Sequence, residues 1–219
     1  MENLVKLGKG SIILLWFCMV LSGLLLIPSA LFAQTVIDEW AKVTAPLPPE
    51  IKQISLDPAT TALLLLDFNK QTCNPERRPR CIDSIPKIQK ILLQARDRKM
   101  TVVYSLSAGA TAADIASAVA PLPGEPVVTS GPDKFLGTDL EKILSEKGIK
   151  IVIVTGTAAH GAVLYTASSA ALRGMKVVVP VDGLSAETLY AEQYTVWHLV
   201  NAPRVSAAIT LSRTDMIGF

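Results

Sequence analysis

From residue 61 onward, apolar runs of two different periods alternate along the chain. Thr61-Ala62-Leu63-Leu64-Leu65-Leu66-Asp67 is a short continuous apolar run ending in a carboxylate, the pattern of a strand buried on both faces. Ile82 to Lys99 then places Ile85, Ile88, Leu92 and Ala95 at helical spacing, and Met100 to Leu106 reads as a second strand. Ala112 to Val119 suits a short helix before the Pro121-Leu122-Pro123-Gly124 turn, and Val127-Val128 a strand stub. The next helix starts at Gly137 or Thr138, turns Leu140, Ile143 and Leu144 inward and stops at Gly148. Ile149 to Thr155 is a β-branched strand, Ala162 to Arg173 a small-residue helix ended by Gly174, and Met175 to Val181 a strand running into Asp182-Gly183. A helix around Ala186 to Leu199 and a strand from Val205 to Leu211 close the series. Strands alternating with helices predict an α/β fold of three layers, a mostly parallel sheet with helices on both faces.

The first 60 residues break this rhythm. Lys6 and Lys9 precede an uncharged stretch from Ser11 to Phe32, and small residues lead to a cut after Ala33, so residues 1–33 read as a secretory signal peptide. The uncharged stretch is also long enough to span a bilayer, so an N-terminal inner-membrane anchor over residues 11–32 is the alternative. Either way the remainder is exported, periplasmic or secreted. Residues 34–60, through Trp40, Pro46, Pro48, Pro49 and Asp57-Pro58, read as an extended lead-in, and residues 61–219 as one domain.

Export changes how the cysteines read. Cys73 and Cys81 lie in one polar, proline-punctuated loop, and in an oxidising compartment they suggest a disulfide, with two unpaired thiols as the alternative. Closing so short a loop restricts the unfolded chain by about 2–3 kcal/mol.

Composition removes several function classes. The hydrophobic share of 50% is raised by the N-terminal segment, and 219 residues fit one domain or two small ones. A net charge of +2 without a basic run gives nucleic acid no electrostatic footprint. No glycine-rich phosphate loop is present, so no nucleotide is indicated. His160 and His198 are too far apart in the chain for metal-ligand spacing. The expected partner is a small molecule, with no cofactor, no metal and no membrane contact after signal cleavage; a homo-oligomer is expected.

In open α/β sheets a ligand binds beyond the carboxyl ends of the strands. Three loops there carry candidate chemistry: Asp67, the turn Thr155-Gly156-Thr157-Ala158-Ala159-His160-Gly161-Ala162, and Asp182. A carboxylate at the end of a buried strand is partly desolvated and suited to acid or base work; a loop cap or a structural ion pair is its other reading. The Gly156–Ala162 turn offers backbone N–H groups at a helix start to an oxyanion or carboxylate. His160 is a candidate ligand or proton carrier, or a structural hydrogen bonder. His198 falls in a helix and reads as surface or interface.

Five segments in order, Leu65-Leu66-Asp67-Phe68-Asn69, Phe135-Leu136-Gly137-Thr138-Asp139-Leu140, Ile153-Val154-Thr155-Gly156-Thr157-Ala158-Ala159, Tyr165-Thr166-Ala167 and Val179-Pro180-Val181-Asp182, resemble the successive blocks of the isochorismatase-like (cysteine) hydrolases. The resemblance covers about residues 60 to 210 and implies a fold of Rossmann-like topology. It also implies a site with an Asp base, an orienting Lys and a Cys nucleophile. Asp67 falls on the family aspartate. The nucleophile position, six after Gly156, is Ala162; the lysine position, six before Phe135, is Thr129. Lys134, beside Phe135, either reaches the site from another direction or is a solvated loop lysine. The isochorismatases proper, which hydrolyse a vinyl ether, also lack the cysteine and carry an Ala-His pair like Ala159-His160, but keep the lysine. The Asp-His-His metal set of nicotinamidases has no counterpart.

The resemblance therefore implies Asp67 and Lys134 as catalytic residues, with water as nucleophile. Phe68, Thr129, Phe135, Thr157, Ala158, Ala159, His160 and Ala162 are the implied substrate-binding residues. The alternatives are a relative that binds a small molecule without turnover, and an oligomeric scaffold built on the Ala162–Ala171 helix and the Trp197 region.

Overall fold

A computed structural model describes residues 34–219, so the signal-peptide or anchor reading lies outside the described residues. The chain divides into two units, Met1–Leu47 and Pro48–Phe219. The described part of the first holds a turn in which Thr35 donates from its backbone and hydroxyl to Asp38, followed by a 3-10 turn at Trp40–Lys42.

The second unit contains, in chain order, β1 (Ile54–Ser55), β2 (Thr61–Leu66), α1 (Pro79–Asp97), β3 (Thr101–Leu106), β4 (Val127–Thr129), α2 (Leu140–Glu146), β5 (Ile151–Thr157), α3 (Leu164–Leu172), β6 (Lys176–Pro180), β7 (Leu184–Ser185), α4 (Leu189–Asn201), β8 (Ile209–Ser212) and β9 (Ile217–Gly218). Seven strands form one sheet in the order β4-β3-β2-β5-β6-β8, with β7 paired to the end of β5. Every pairing in it is parallel. This is the three-layer α/β architecture that the alternating pattern predicts.

β2 is buried along its whole length, as its unbroken apolar run requires. Because strand side chains alternate, Ala62, Leu64 and Leu66 pack with α2, α3 and α4 on one face, while Leu63 and Leu65 pack with α1 on the other. α1 begins at Pro79, where the ring's fixed φ and missing N–H suit a first helical turn. It turns Ile88, Ile91, Leu92 and Ala95 onto the sheet.

Four local expectations are revised. The closing strand, expected from Val205 to Leu211, opens as a 3-10 turn at Ser206–Ala208 and runs only from Ile209 to Ser212. Ala112–Val119 forms two 3-10 turns, Ala112–Asp114 and Ser117–Val119, instead of one helix. The helix expected from Ala162 opens as a π turn, Ala159–Val163, before α3. The last helix starts at Leu189, not Ala186, because Thr188 caps it by accepting from the Ala191 N–H, and the Ala186 N–H is taken by the Glu192 carboxylate.

Part of the expected lead-in is integral to this unit. Lys52 donates its N–H to the Leu211 carbonyl, and β1 pairs in parallel with β9.

Candidate active site

The chain order fixes where in the sheet a ligand site is expected. From β2 the chain runs outward through β3 and β4, then returns to the other side of β2 to lay down β5. The connections after β2 and β5 therefore leave toward opposite faces, the topological switch point at which α/β sheets bind ligands. Leu66 and Gly156 are paired in register there, and Asp67 follows immediately.

Asp67 takes a left-handed backbone conformation with φ of 55°. For a residue other than glycine this costs of order 1–3 kcal/mol and persists only when neighbours enforce it. They do: the Asp67 N–H donates to the Ser105 carbonyl (3.1 Å), and the Thr72 hydroxyl donates to the Asp67 carbonyl. The turn aims the carboxylate at two donors. Ser105 Oγ donates to Oδ1 at 2.7 Å, and Lys134 Nζ donates to Oδ2 at 2.8 Å.

Lys134 is not a solvated loop lysine. Its side chain is 1% exposed, and its ammonium also donates to the Ser130 carbonyl at 3.3 Å. The segment carrying it is fastened to α3: the Lys134 N–H donates to Thr166 Oγ1 (3.2 Å), and Ser169 Oγ donates to Asp133 Oδ2 (2.5 Å). Next to it Phe135 is buried, with the Arg173 guanidinium stacked 4.6 Å from its ring centroid. A cation therefore reaches Asp67 from the residue before Phe135, while Thr129 is exposed on β4.

The β5 turn forms the other wall. Gly156 has φ of 139°, and a Cβ there would meet the Leu66 carbonyl oxygen at 2.2 Å, so only glycine lets β2 and β5 approach this closely. The Thr157 hydroxyl donates to the Ser185 carbonyl, and the Thr157–Ala158 peptide is cis. Ala159 and Ala162 are buried in the same core as Leu66 and Phe135, whereas His160 is exposed. The Gly161 and Val163 N–H groups both donate to the Ala158 carbonyl, within the turn. Phe68 is 2% exposed and packs in the core on the α1 side.

The Cys73–Cys81 disulfide is formed, with Cα atoms 5.4 Å apart. It ties the turn after Asp67 to the first turn of α1. Arg77 and Arg78 on this loop both bond Glu187, and Arg80 grips Glu192 through Nε (2.8 Å) and Nη2 (2.6 Å). Burial works against the ionised form of Glu187, but the two arginines outweigh it and hold the carboxyl below its usual range. Replacing both cysteines by serine is expected to lower stability by about 2–3 kcal/mol, read as the midpoint shift in urea denaturation; an unchanged midpoint would show that the arginine contacts alone fix the loop.

Asp182 proves structural, accepting from the Thr214 N–H (2.9 Å) and hydroxyl (3.0 Å). His198 packs against Tyr194, the rings tilted by 57° with centroids 5.8 Å apart. Among the described residues no group of three or more His, Cys, Asp or Glu is placed to hold a metal ion. Sequence reasoning missed Ser105 and Thr166; a polar side chain at the end of an apolar strand, the signal that marked Asp67, also marks Ser105.

Residues 61–212 match the isochorismatase domain family. With that span, the fold and the site in place, the chain belongs to the isochorismatase-like hydrolase family. A curated relative, the secreted isochorismatase effector Isc1 of Verticillium dahliae, is 31% identical over 112 residues, which span 46% of this chain and 59% of that protein. An isochorismatase-like hydrolase from Alkaliphilus metalliredigens is 26% identical with a TM-score of 0.64, covering 71% of this chain and 87% of its own. A cysteine hydrolase from Pseudomonas syringae pv. phaseolicola shares the fold at a TM-score of 0.65 and 19% identity, covering 78% and 95%.

Proposed function

We propose that this protein hydrolyses a small metabolite by acid–base catalysis at Asp67, with water as the nucleophile. The observation that supports this most directly is the buried Lys134–Asp67 pair at the switch point of the sheet. Lys134 fixes the carboxylate and balances its charge, and Ala162, a methyl group at the position where the family resemblance implies a thiol, supplies no nucleophile. A vinyl ether fits this set: an acid protonates the enol ether carbon, and water completes the cleavage. Lys134 then serves in place of the lysine that the resemblance implies at position 129. The disulfide fits the exported location suggested by residues 1–33, in line with a curated relative named as secreted.

The test is product formation by the purified protein on isochorismate and related enol ethers, set against simple amides including nicotinamide, with Asp67→Asn in parallel. Enol ether cleavage is expected, with a loss of about 10²–10⁴-fold in Asp67→Asn, the usual contribution of a positioned acid or base. Amide turnover would mean that a nucleophile other than residue 162 is at work. Ala162 and Thr129, at the positions where the resemblance implies a thiol and a lysine, favour one second reading, a site that binds a metabolite without turning it over. Ligand-induced thermal stabilisation in the absence of product would select it.

A further inference from the structure

The two donors on the Asp67 carboxylate differ in kind, and the difference gives its two oxygens different roles. Lys134 presents an ammonium, which has three donors and no lone pair. With Nζ 2.8 Å from Oδ2, that oxygen cannot carry a proton directed along the contact. Ser105 presents a hydroxyl, which donates to a carboxylate and, after rotation about one bond, accepts from a carboxylic acid. Its Oγ lies 2.7 Å from Oδ1, Ser105 is 1% exposed, and its hydroxyl has no other hydrogen-bond partner among the described residues.

We infer that Ser105 is the positioning residue that lets Asp67 hold and release a proton, and that the proton resides on Oδ1. The inference rests on the acid–base reading of Asp67. In the charged state Ser105 donates to Oδ1; in the protonated state it accepts from the Oδ1–H group. For transfer the Oδ1–H bond turns from Ser105 to the substrate carbon; as it breaks and the proton passes to that carbon, the electron pair stays on Oδ1 and the serine hydroxyl turns to donate to it. The water that adds to the resulting oxocarbenium carbon returns one proton to Oδ1, and Ser105 accepts again; the hemiketal so formed then collapses, its hydroxyl proton passing to the ether oxygen as that C–O bond breaks, to release the ketone and the alcohol. Ser105 stays neutral throughout.

The geometry suits this role because Ser105 does not drift. It sits on β3 opposite Leu66 in register, and its carbonyl accepts the Asp67 N–H. One residue therefore holds both the backbone and the side chain of Asp67. An alanine at 105 leaves Oδ1 without a partner in both states, in an interior where an unpaired polar atom is costly.

Full-length Ser105→Ala and Ser105→Thr would be compared with wild type and Asp67→Asn in isochorismate hydrolysis. Ser105→Ala is expected to lower kcat by about 10- to 100-fold, the worth of one hydrogen bond to a charged group, with KM nearly unchanged and the thermal midpoint lowered by the stranded Oδ1. Ser105→Thr, which keeps the hydroxyl, is expected to restore most of the rate. Infrared spectra of protein carrying 13C-labelled aspartate give a readout independent of turnover. The Asp67 bands, identified by their loss in Asp67→Asn, should shift in Ser105→Ala in both the carboxylate and the carboxylic acid form and return in Ser105→Thr. Unshifted bands, or full kcat in Ser105→Ala, would overturn the inference. Full turnover in Asp67→Asn alongside shifted bands would overturn the acid–base reading and this role with it, leaving Ser105 a structural hydrogen bond.

Discussion

Lys134→Met is expected to lower the free energy of unfolding by about 3–5 kcal/mol and to remove catalysis, because it strands a buried carboxylate. Methionine fills the same space, so the loss is electrostatic. Asp67 keeps only the Ser105 hydroxyl, and its side chain is 8% exposed, too little for water to replace the ammonium. Urea denaturation followed by circular dichroism measures the change. The double variant Lys134→Met with Asp67→Leu should recover much of the lost stability, since two apolar groups need no partner, but none of the activity. That separation is the point of the cycle: the pair is retained for chemistry and not for stability. A Lys134→Met variant within about 1 kcal/mol of wild type would show that the ammonium is far more hydrated than its contacts indicate.

Gly156→Ala is expected to be the most disruptive glycine-to-alanine change among the described residues, at about 3–5 kcal/mol from overpacking and a forced backbone angle together. The added Cβ would sit 2.2 Å from the Leu66 carbonyl oxygen and 2.7 Å from the Leu66 Cβ. Relief requires β5 to move away from β2 at the residue before Asp67, so the site should lose its geometry even where the fold survives. Gly148→Ala is a useful contrast: it shares a positive φ, of 66°, but nothing lies within 4 Å of the added atom. Its cost should be confined to the backbone term, about 1–2 kcal/mol. Equal losses in the two variants would show that the close approach of β2 and β5 carries no special weight.

The elements that sequence made legible are those with a pattern long enough to have a period. β2, β3, β5 and β6 announce themselves as apolar runs, and α1 as a helical stripe. β1, β7 and β9 are two residues each, and no periodicity exists at that length. The π turn at Ala159–Val163 was equally silent, because a single i→i+5 turn uses the same small residues as the helix it precedes. Asp67 could be found because a carboxylate ending an apolar strand is conspicuous. The Lys134 pairing could not: its reach depends on how residues 130–138 fold over Thr166 and Ser169, and spacing relative to Phe135 carries no information about that. Asp182 shows the converse, a strand-terminal carboxylate of the same appearance whose partners, in Thr214, make it a brace.

The register of the central strands also sets a schedule. Leu66 pairs with Gly156, so β2 has a neighbour on its second edge only after the chain through Thr157 has been made. Until then the most apolar strand of the domain has one open edge and one face that only α2 can begin to cover, since α3 and α4 follow β5 in the chain. A growing chain cannot settle into its native state from the N-terminal end, and parallel pairings between distant segments form slowly. Whatever handles the nascent protein meets a chain with a sticky middle; the same register that sets Asp67 beside the end of β5 keeps the domain incomplete until most of the chain exists.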